Sequence, residues 1–183
     1  MAVGDSVRKA DLYDLEQAVW AEVAEAQLTA ILGGSLPLAD ILTDHFVRDL
    51  HASLYGAIWT SAGKYRVRET NIGIPPEYIA VELRSELDSL RWRWENTTDF
   101  TSRVLGVALH ATVVRTHPFI DGNGRTTRLL ADLAFAAAQS DGELLEYDWN
   151  VDRAEYIRLL GAFDRSRDAS ALAEFVPVRP VSS

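Results

Sequence analysis

The 183-residue chain has no cysteine, which excludes disulfides and thiolate metal sites and suits, without demanding, a reducing compartment. It has no apolar run near the roughly 20 residues that a helix needs to cross a bilayer. MAVGDSVRKADLYDLE lacks an apolar signal core, so the expected home is the cytoplasm. Positive charge is scarce: 18 Lys and Arg face 27 Asp and Glu, a net charge of −9 at pH 7. That balance argues against a broad nucleic-acid or anionic-membrane surface, so neither is expected as a partner. Internal repeats and low-complexity segments are absent too, and any positive potential has to be local.

What is present is ordinary for a globular chain, with 48% hydrophobic and 25% charged residues. The length suits one domain with a proper core. Leu12, Leu15, Val19, Val23 and Ala26 recur at helical spacing and predict an amphipathic helix from Asp11, stopped by Gly33-Gly34 near residue 32. Leu42, Phe46, Leu50, Leu54 and Ile58 predict a second helix, with His45 and His51 off its stripe at the surface or boundary. Ile79, Leu83, Leu87, Leu90 and Trp94 mark a long third helix that leaves Trp92 aside. Asp99 or Thr101 can cap a helix that runs to His117. Residues 144–149 are ambiguous, Asn150 can cap a helix holding Ile157, Leu160 and Phe163, and a short helix covers about Ser170 to Phe175. The expected fold class is all-α. Residues 1–36 form an N-terminal helix and linker behind a frayed start, 37–176 the core, and 177–183 a flexible tail.

Between two apolar, alanine-rich helices lies His117-Pro118-Phe119-Ile120-Asp121-Gly122-Asn123-Gly124-Arg125-Thr126-Thr127-Arg128. Its second half opens a helix, whose first amides lack intrahelical partners and carry the positive end of the dipole. Gly122 and Gly124 allow a sharp turn and close approach of an anion, and Asn123 adds an amide donor. Arg125 and Arg128, three apart, each offer a planar fork to phosphate oxygens. Asp121 would repel phosphate unless a hard cation lies between them, as Mg²⁺ does when bound by one carboxylate and substrate phosphates. His117 can take the proton that a hydroxyl loses on attacking phosphorus. Nucleotide plus Mg²⁺ is the economical reading.

This string resembles the Fic signature, His-x-Phe-x-Asp/Glu-Gly-Asn-Gly-Arg-x-x-Arg, at every specified position. Most Fic proteins are adenylyltransferases that move AMP from ATP to a Ser, Thr or Tyr hydroxyl of a target protein. The resemblance implies His117 as general base and Asp121 as Mg²⁺ ligand. Gly122, Asn123 and Gly124 would form the anion hole, Arg125 would support it, and Arg128 would hold the γ-phosphate. Phe119 falls with these nucleotide-holding residues.

Gly63 to Arg68 alternates polar and apolar residues as a strand does, Glu69-Thr70-Asn71 offers a turn, and Ile72 and Ile74 resume the pattern before Pro75-Pro76. A hairpin is expected here, and the Fic resemblance makes it a flap over the site whose exposed edge can pair with a target segment. Ile72 would be the flap residue that pins the target side chain. GKYRVRETNIGIPPEYIAVELRSELDSLRW, with DLEQAV near the start, resembles the Fic subgroup known as "mobile mystery protein B", linked with bacterial mobile elements. That likeness implies a co-encoded helix-turn-helix partner and a toxin-like role, with an antitoxin chain as a further candidate partner.

Many Fic proteins are inhibited by a glutamate in a Ser/Thr-x-x-x-Glu-Gly/Asn pattern that pairs with the second motif arginine, here Arg128. Glu174 has Ser170 four residues before it but Phe175 after it, and Glu16 has Leu12 and Gln17, so neither fits fully. Other functions stay open. A Doc-like kinase would transfer the γ-phosphate, but that subgroup has Lys where this chain has Gly124. UMP or phosphocholine transfer and AMP removal use the same loop. A catalytically silent nucleotide- or partner-binding module would need neither His117 nor Asp121.

Overall fold

The structure, a computed structural model, describes residues 9–140 and 142–181, with side chains from residue 13 onward. The expected frayed start falls mostly outside the described residues, and so does the side chain of Leu12. Helix α1 (Lys9–Leu32) ends at Gly33-Gly34; α2 (Leu38–Ile41) and α3 (Asp44–Tyr55) follow. Thr43 caps α3 by accepting the Phe46 N–H at 3.1 Å, so the second helix starts later than its apolar pattern suggests. A 3₁₀ turn (Pro76–Tyr78) leads into α4 (Ile79–Asn96), and Thr101 caps α5 (Ser102–Thr116). The chain continues through α6 (Asn123–Ala138), β1 (Leu145–Tyr147), α7 (Arg153–Ser166), α8 (Ser170–Phe175) and β2 (Val178–Pro180). Asp152, rather than Asn150, caps α7.

The α5–α6 hairpin is the axis of the core, packed more closely than any other pair of elements. Leu105, Leu109 and Val113 on α5 meet Leu130, Leu133 and Ala134 on α6, all buried. α4 covers one side with Leu83, Leu87 and Leu90. Arg115 on α5 fastens a further edge by ion pairs to Glu82 and Glu86 of α4 and Asp164 of α7. α1 packs on α3 and α6 and so joins the same core. Its inward side matches the expected stripe only in part: Val23 meets the core and Val19 is half-buried, but Leu15 and Ala26 are exposed, whereas Glu16 is buried and Trp20, Ala24 and Ile31 meet the core. Glu16 is drawn inward by an arginine of α6, described below.

Two stretches differ from the sequence reading. Residues 177–181 are not a loose tail: Val178–Pro180 pairs antiparallel with Leu145–Tyr147, and Arg179 bonds Glu146 at 3.0 Å. The strands expected over residues 63–74 do not form; the segment is an extended loop, and the sheet lies elsewhere. Strand alternation there would bury Val67, which is 85% exposed, while Arg66 is 2% exposed. The guanidinium has found buried carbonyl partners, and these outweigh the apolar pattern. Among the described residues, no helix is long and apolar enough to cross a membrane.

Candidate active site

The motif string joins α5 to α6 through two left-handed residues. His117 ends α5 at φ 49°, ψ 61°, and Gly122 precedes α6 at φ 74°. Gly122 needs its missing side chain, because a Cβ there would sit 2.5 Å from the Tyr55 ring. For His117 the left-handed state costs about 1–2 kcal/mol, so the surroundings must hold it. Gly122 offers no side-chain cap to α6. The amides of Asn123, Gly124 and Arg125 therefore have no acceptor among the described residues, at the positive end of a 16-residue helix. Gly122 itself donates its N–H to the Asp121 carboxylate at 2.8 Å.

Asn123 is buried and acts inside the loop. Its Oδ1 accepts the Phe119 N–H at 3.0 Å and its Nδ2 donates to the Phe119 carbonyl at 2.8 Å. The two bonds fix the amide orientation, so the 3.2 Å contact to His117 Nε2 has Nδ2 as donor. Nε2 then carries a lone pair, and the neutral ring holds its proton on Nδ1. Burial lowers the His117 pKa, the Arg66 cation lowers it further, and Asp121 partly opposes them. The expectation that Asn123 presents its side-chain amide to an anion is thus corrected: that amide orients His117. Phe119, expected among nucleotide-holding residues, is 1% exposed and lies in the core. Its ring stacks on His51 at 3.8 Å.

His51 is likewise no surface residue. Its Nδ1 accepts the Gly63 N–H at 2.9 Å, which leaves Nε2 to donate to the Asp121 carbonyl at 3.0 Å. Burial depresses its pKa, consistent with this neutral form. Trp59 stacks on Tyr55 and His51 on Phe119, with Tyr55 and His51 tilted at 52°, so the four rings form one aromatic row beneath the loop. Helical periodicity could not find His51, whose partners are distant backbone groups.

The arginines diverge. Arg125 pairs with buried Glu16 at 2.5 Å and lies over the Tyr55 ring. Arg128 is exposed and has no acidic partner within ion-pair distance among the described residues. Of the two candidate inhibitory glutamates, Glu16 meets the first motif arginine rather than the second. The exposed Glu174 makes no ion pair among the described residues.

Two adjoining cavities share His117, Asn123, Gly124 and Arg128. One, of about 300 Å³, is lined by residues 117 and 120–125 with Arg128. The other, of about 620 Å³, is walled by Ile72, Trp149, Val151, Tyr156, Ile157 and others. The smaller has polar donors and the Asp121 carboxylate; the larger has aromatic and aliphatic walls suited to a flat ring. Beneath the larger, Tyr156 meets the buried His110 ring at 2.6 Å, and Trp149 donates to the Asp132 carboxylate at 3.2 Å. Trp149 and Tyr156 carry no motif, so the sequence did not single them out. A still larger groove of about 950 Å³ runs along α4, but it is built from that helix and Thr97, away from His117. A lone carboxylate beside free amides fits a cation that takes its other ligands from phosphate and water. Among the described residues there is no cluster of three or more acids and histidines able to hold a metal without such help.

The chain is 31% identical to the Caenorhabditis elegans protein adenylyltransferase fic-1 over 115 residues, 60% of this chain and 22% of that protein. It is 34% identical to a Fido domain-containing protein of Dictyostelium discoideum over 124 residues, 63% of this chain and 84% of that one. It thus spans less than a quarter of the adenylyltransferase. Its fold matches a Fic domain containing signaling protein from Bacteroides thetaiotaomicron with TM-score 0.65 at 22% identity, covering 87% of this chain and 63% of that one. It also matches BepC from Bartonella tribocorum, solved with bound AMPPNP, with TM-score 0.65 at 14% identity, covering 96% of this chain and 90% of that one. The Fic/DOC family model matches residues 41–135, just over half of the chain and all of the motif loop, and the chain belongs to that family.

Proposed function

We propose that this domain transfers AMP from ATP to a Ser, Thr or Tyr hydroxyl of another protein. The carrying observation is that His117 Nε2, a lone pair on a neutral ring, borders both cavities beside the uncapped amides of α6. The phosphates lie along those amides with Arg128, and the base enters the larger cavity against Trp149 and Tyr156. The target hydroxyl approaches past Ile72, and Nε2 takes its proton as the oxygen bonds to the α-phosphorus. The bond from that phosphorus to the bridging oxygen breaks, and pyrophosphate leaves. Asp121 would hold Mg²⁺, which supplies charge neutralisation when bound. The bound AMPPNP of BepC and the named activity of fic-1 support this reading.

No backbone N–H or C=O of residues 67, 69–71 or 73 is hydrogen-bonded among the described residues, so the loop can still pair with an extended target segment although it is no strand. Incubating the protein with lysate, Mg²⁺ and ATP labelled at the α or the γ position tests the reading. Label transferred from the α position supports it; transfer from the γ position makes the protein a kinase, and transfer of neither makes it a binding module. His117→Ala should lower transfer by about 10²–10⁴-fold, the usual worth of a general base, and leave AMPPNP affinity largely intact.

A further inference from the structure

Arg66 carries a full charge at 2% exposure and has no carboxylate partner among the described residues. Every polar contact of its guanidinium is to a backbone carbonyl. Nε donates to His117 O at 2.7 Å, Nη1 to Arg68 O at 3.0 Å, and Nη2 to Ile74 O and, at 3.5 Å, to Thr116 O. Its own N–H donates to Pro118 O at 2.8 Å.

These acceptors fall in two groups. Thr116 and His117 are the last carbonyls of α5, at the negative end of the helix dipole, where a cation is favoured and the carbonyls lack intrahelical donors. Arg68 and Ile74 are the two limbs of the loop that holds Ile72. Among the described residues, the only hydrogen bonds tying residues 67–74 to the rest of the chain come from Arg66. Apolar burial does not replace them, since residues 67–69 and 71–73 are exposed and Thr70 and Ile74 are only half-buried. Gly73 seals the same joint at φ 96°: a Cβ there would lie 2.6 Å from His117 Cβ and 2.7 Å from Arg66 Nη2.

We propose that Arg66 is a positioning residue that locks the left-handed backbone of His117 and the Ile72 loop into one unit, fixing the distance between base and docked target. The catalytic part of this inference rests on the reading of His117 as the base. A lysine keeps the charge but, as a point donor, cannot span carbonyls on both segments. A hydrophobic or ionic clip would hold the loop alone; the bonds to His117 and Thr116 are what join it to the base.

Arg66→Lys tests this, with Gly73→Ala as a second variant that strains the same joint without removing the fork. Amide exchange and ¹⁵N relaxation should show residue 66, His117 and Phe119 losing protection at least tenfold, and Ile72 and Ile74 becoming mobile. Leu109 and Leu130 should stay within about threefold of wild type. The His117 ring resonances should shift in both variants. Transfer from α-labelled ATP should fall at least tenfold while AMPPNP–Mg²⁺ affinity changes less than threefold. A uniform rise of exchange through the chain would reduce Arg66 to a fold stabiliser and overturn the proposal. So would a freed loop with His117 still protected and its ring resonances unmoved. If wild type transfers no label, the functional reading has failed, and the exchange and resonance results decide the coupling by themselves.

Discussion

The site is made of two segments held in opposite ways. Residues 117–128 are folded by their own neighbours: Asn123 grips Phe119, Asp121 bonds Gly122, and α6 starts at once. Residues 67–74 make almost no bonds among themselves and depend on one guanidinium rooted elsewhere. The first is a rigid unit set into the tightest helix pair of the core. The second is a short strap whose position is borrowed from the first. In the proposed transfer the phosphate site stays fixed, while the strap, held at its two limbs by Arg66, keeps the free backbone groups between them for a target segment.

Breaking the rigid side should have the larger effect. Gly122→Ala meets the Tyr55 ring and a positive φ together, so it should cost at least about 2 kcal/mol by thermal unfolding and weaken AMPPNP binding at least tenfold. Equal stability and affinity would show that the loop has slack that the packing does not suggest. On the strap, Ile72→Ser removes one apolar contact worth about 1–2 kcal/mol. Label transfer to lysate proteins should fall roughly tenfold with AMPPNP affinity unchanged; a loss of affinity would place Ile72 with the nucleotide instead. The smallest effect concerns protons. Burial and the Arg66 cation lower the His117 pKa from the ordinary 6.5, so the acid limb of the pH–rate profile should lie below that of an ordinary histidine. A limb above pH 6.5 would show that Asp121 outweighs the partial burial of the ring and the Arg66 cation.

The sign for stability is the same. His51 and His117 have folded pKa values below the unfolded 6.5, so the unfolded chain binds more protons as pH falls through that window. Their contribution is present at neutral pH and is lost on acidification. Asp132, pushed up to about 7 by burial, works the other way. Asp132→Asn should therefore steepen the acid loss of stability, measured by melting at pH 7 and pH 5.

What the sequence made legible follows the same division. Periodicity found α1, α3, α4 and α7 within a few residues, and α5 and α6 were legible as continuous apolar, alanine-rich runs, which α5 buries almost throughout. The motif was legible because its chemistry is contiguous. The strap was misread as a hairpin: Arg66 occupies a position that alternation marks as outward, and the carbonyls that turn it inward lie 50 residues or more away in Thr116 and His117. His51 was missed for the same reason. Strand β2 reads as loose tail in the sequence because three residues with a proline carry too little pattern, and only β1 across the fold completes them. Side chains that bond distant backbone leave no spacing to read.

The uncapped start of α6 has one more consequence, for handling the protein at the bench. Three converging amides and Arg128 make any small oxyanion in the solvent a competitor for the site, and a ligand of the folded state alone raises the melting temperature by mass action. Phosphate and sulfate buffers should thus stabilise the domain and inhibit the proposed transfer. A melting curve taken across sulfate concentrations would titrate the pocket before any substrate is identified.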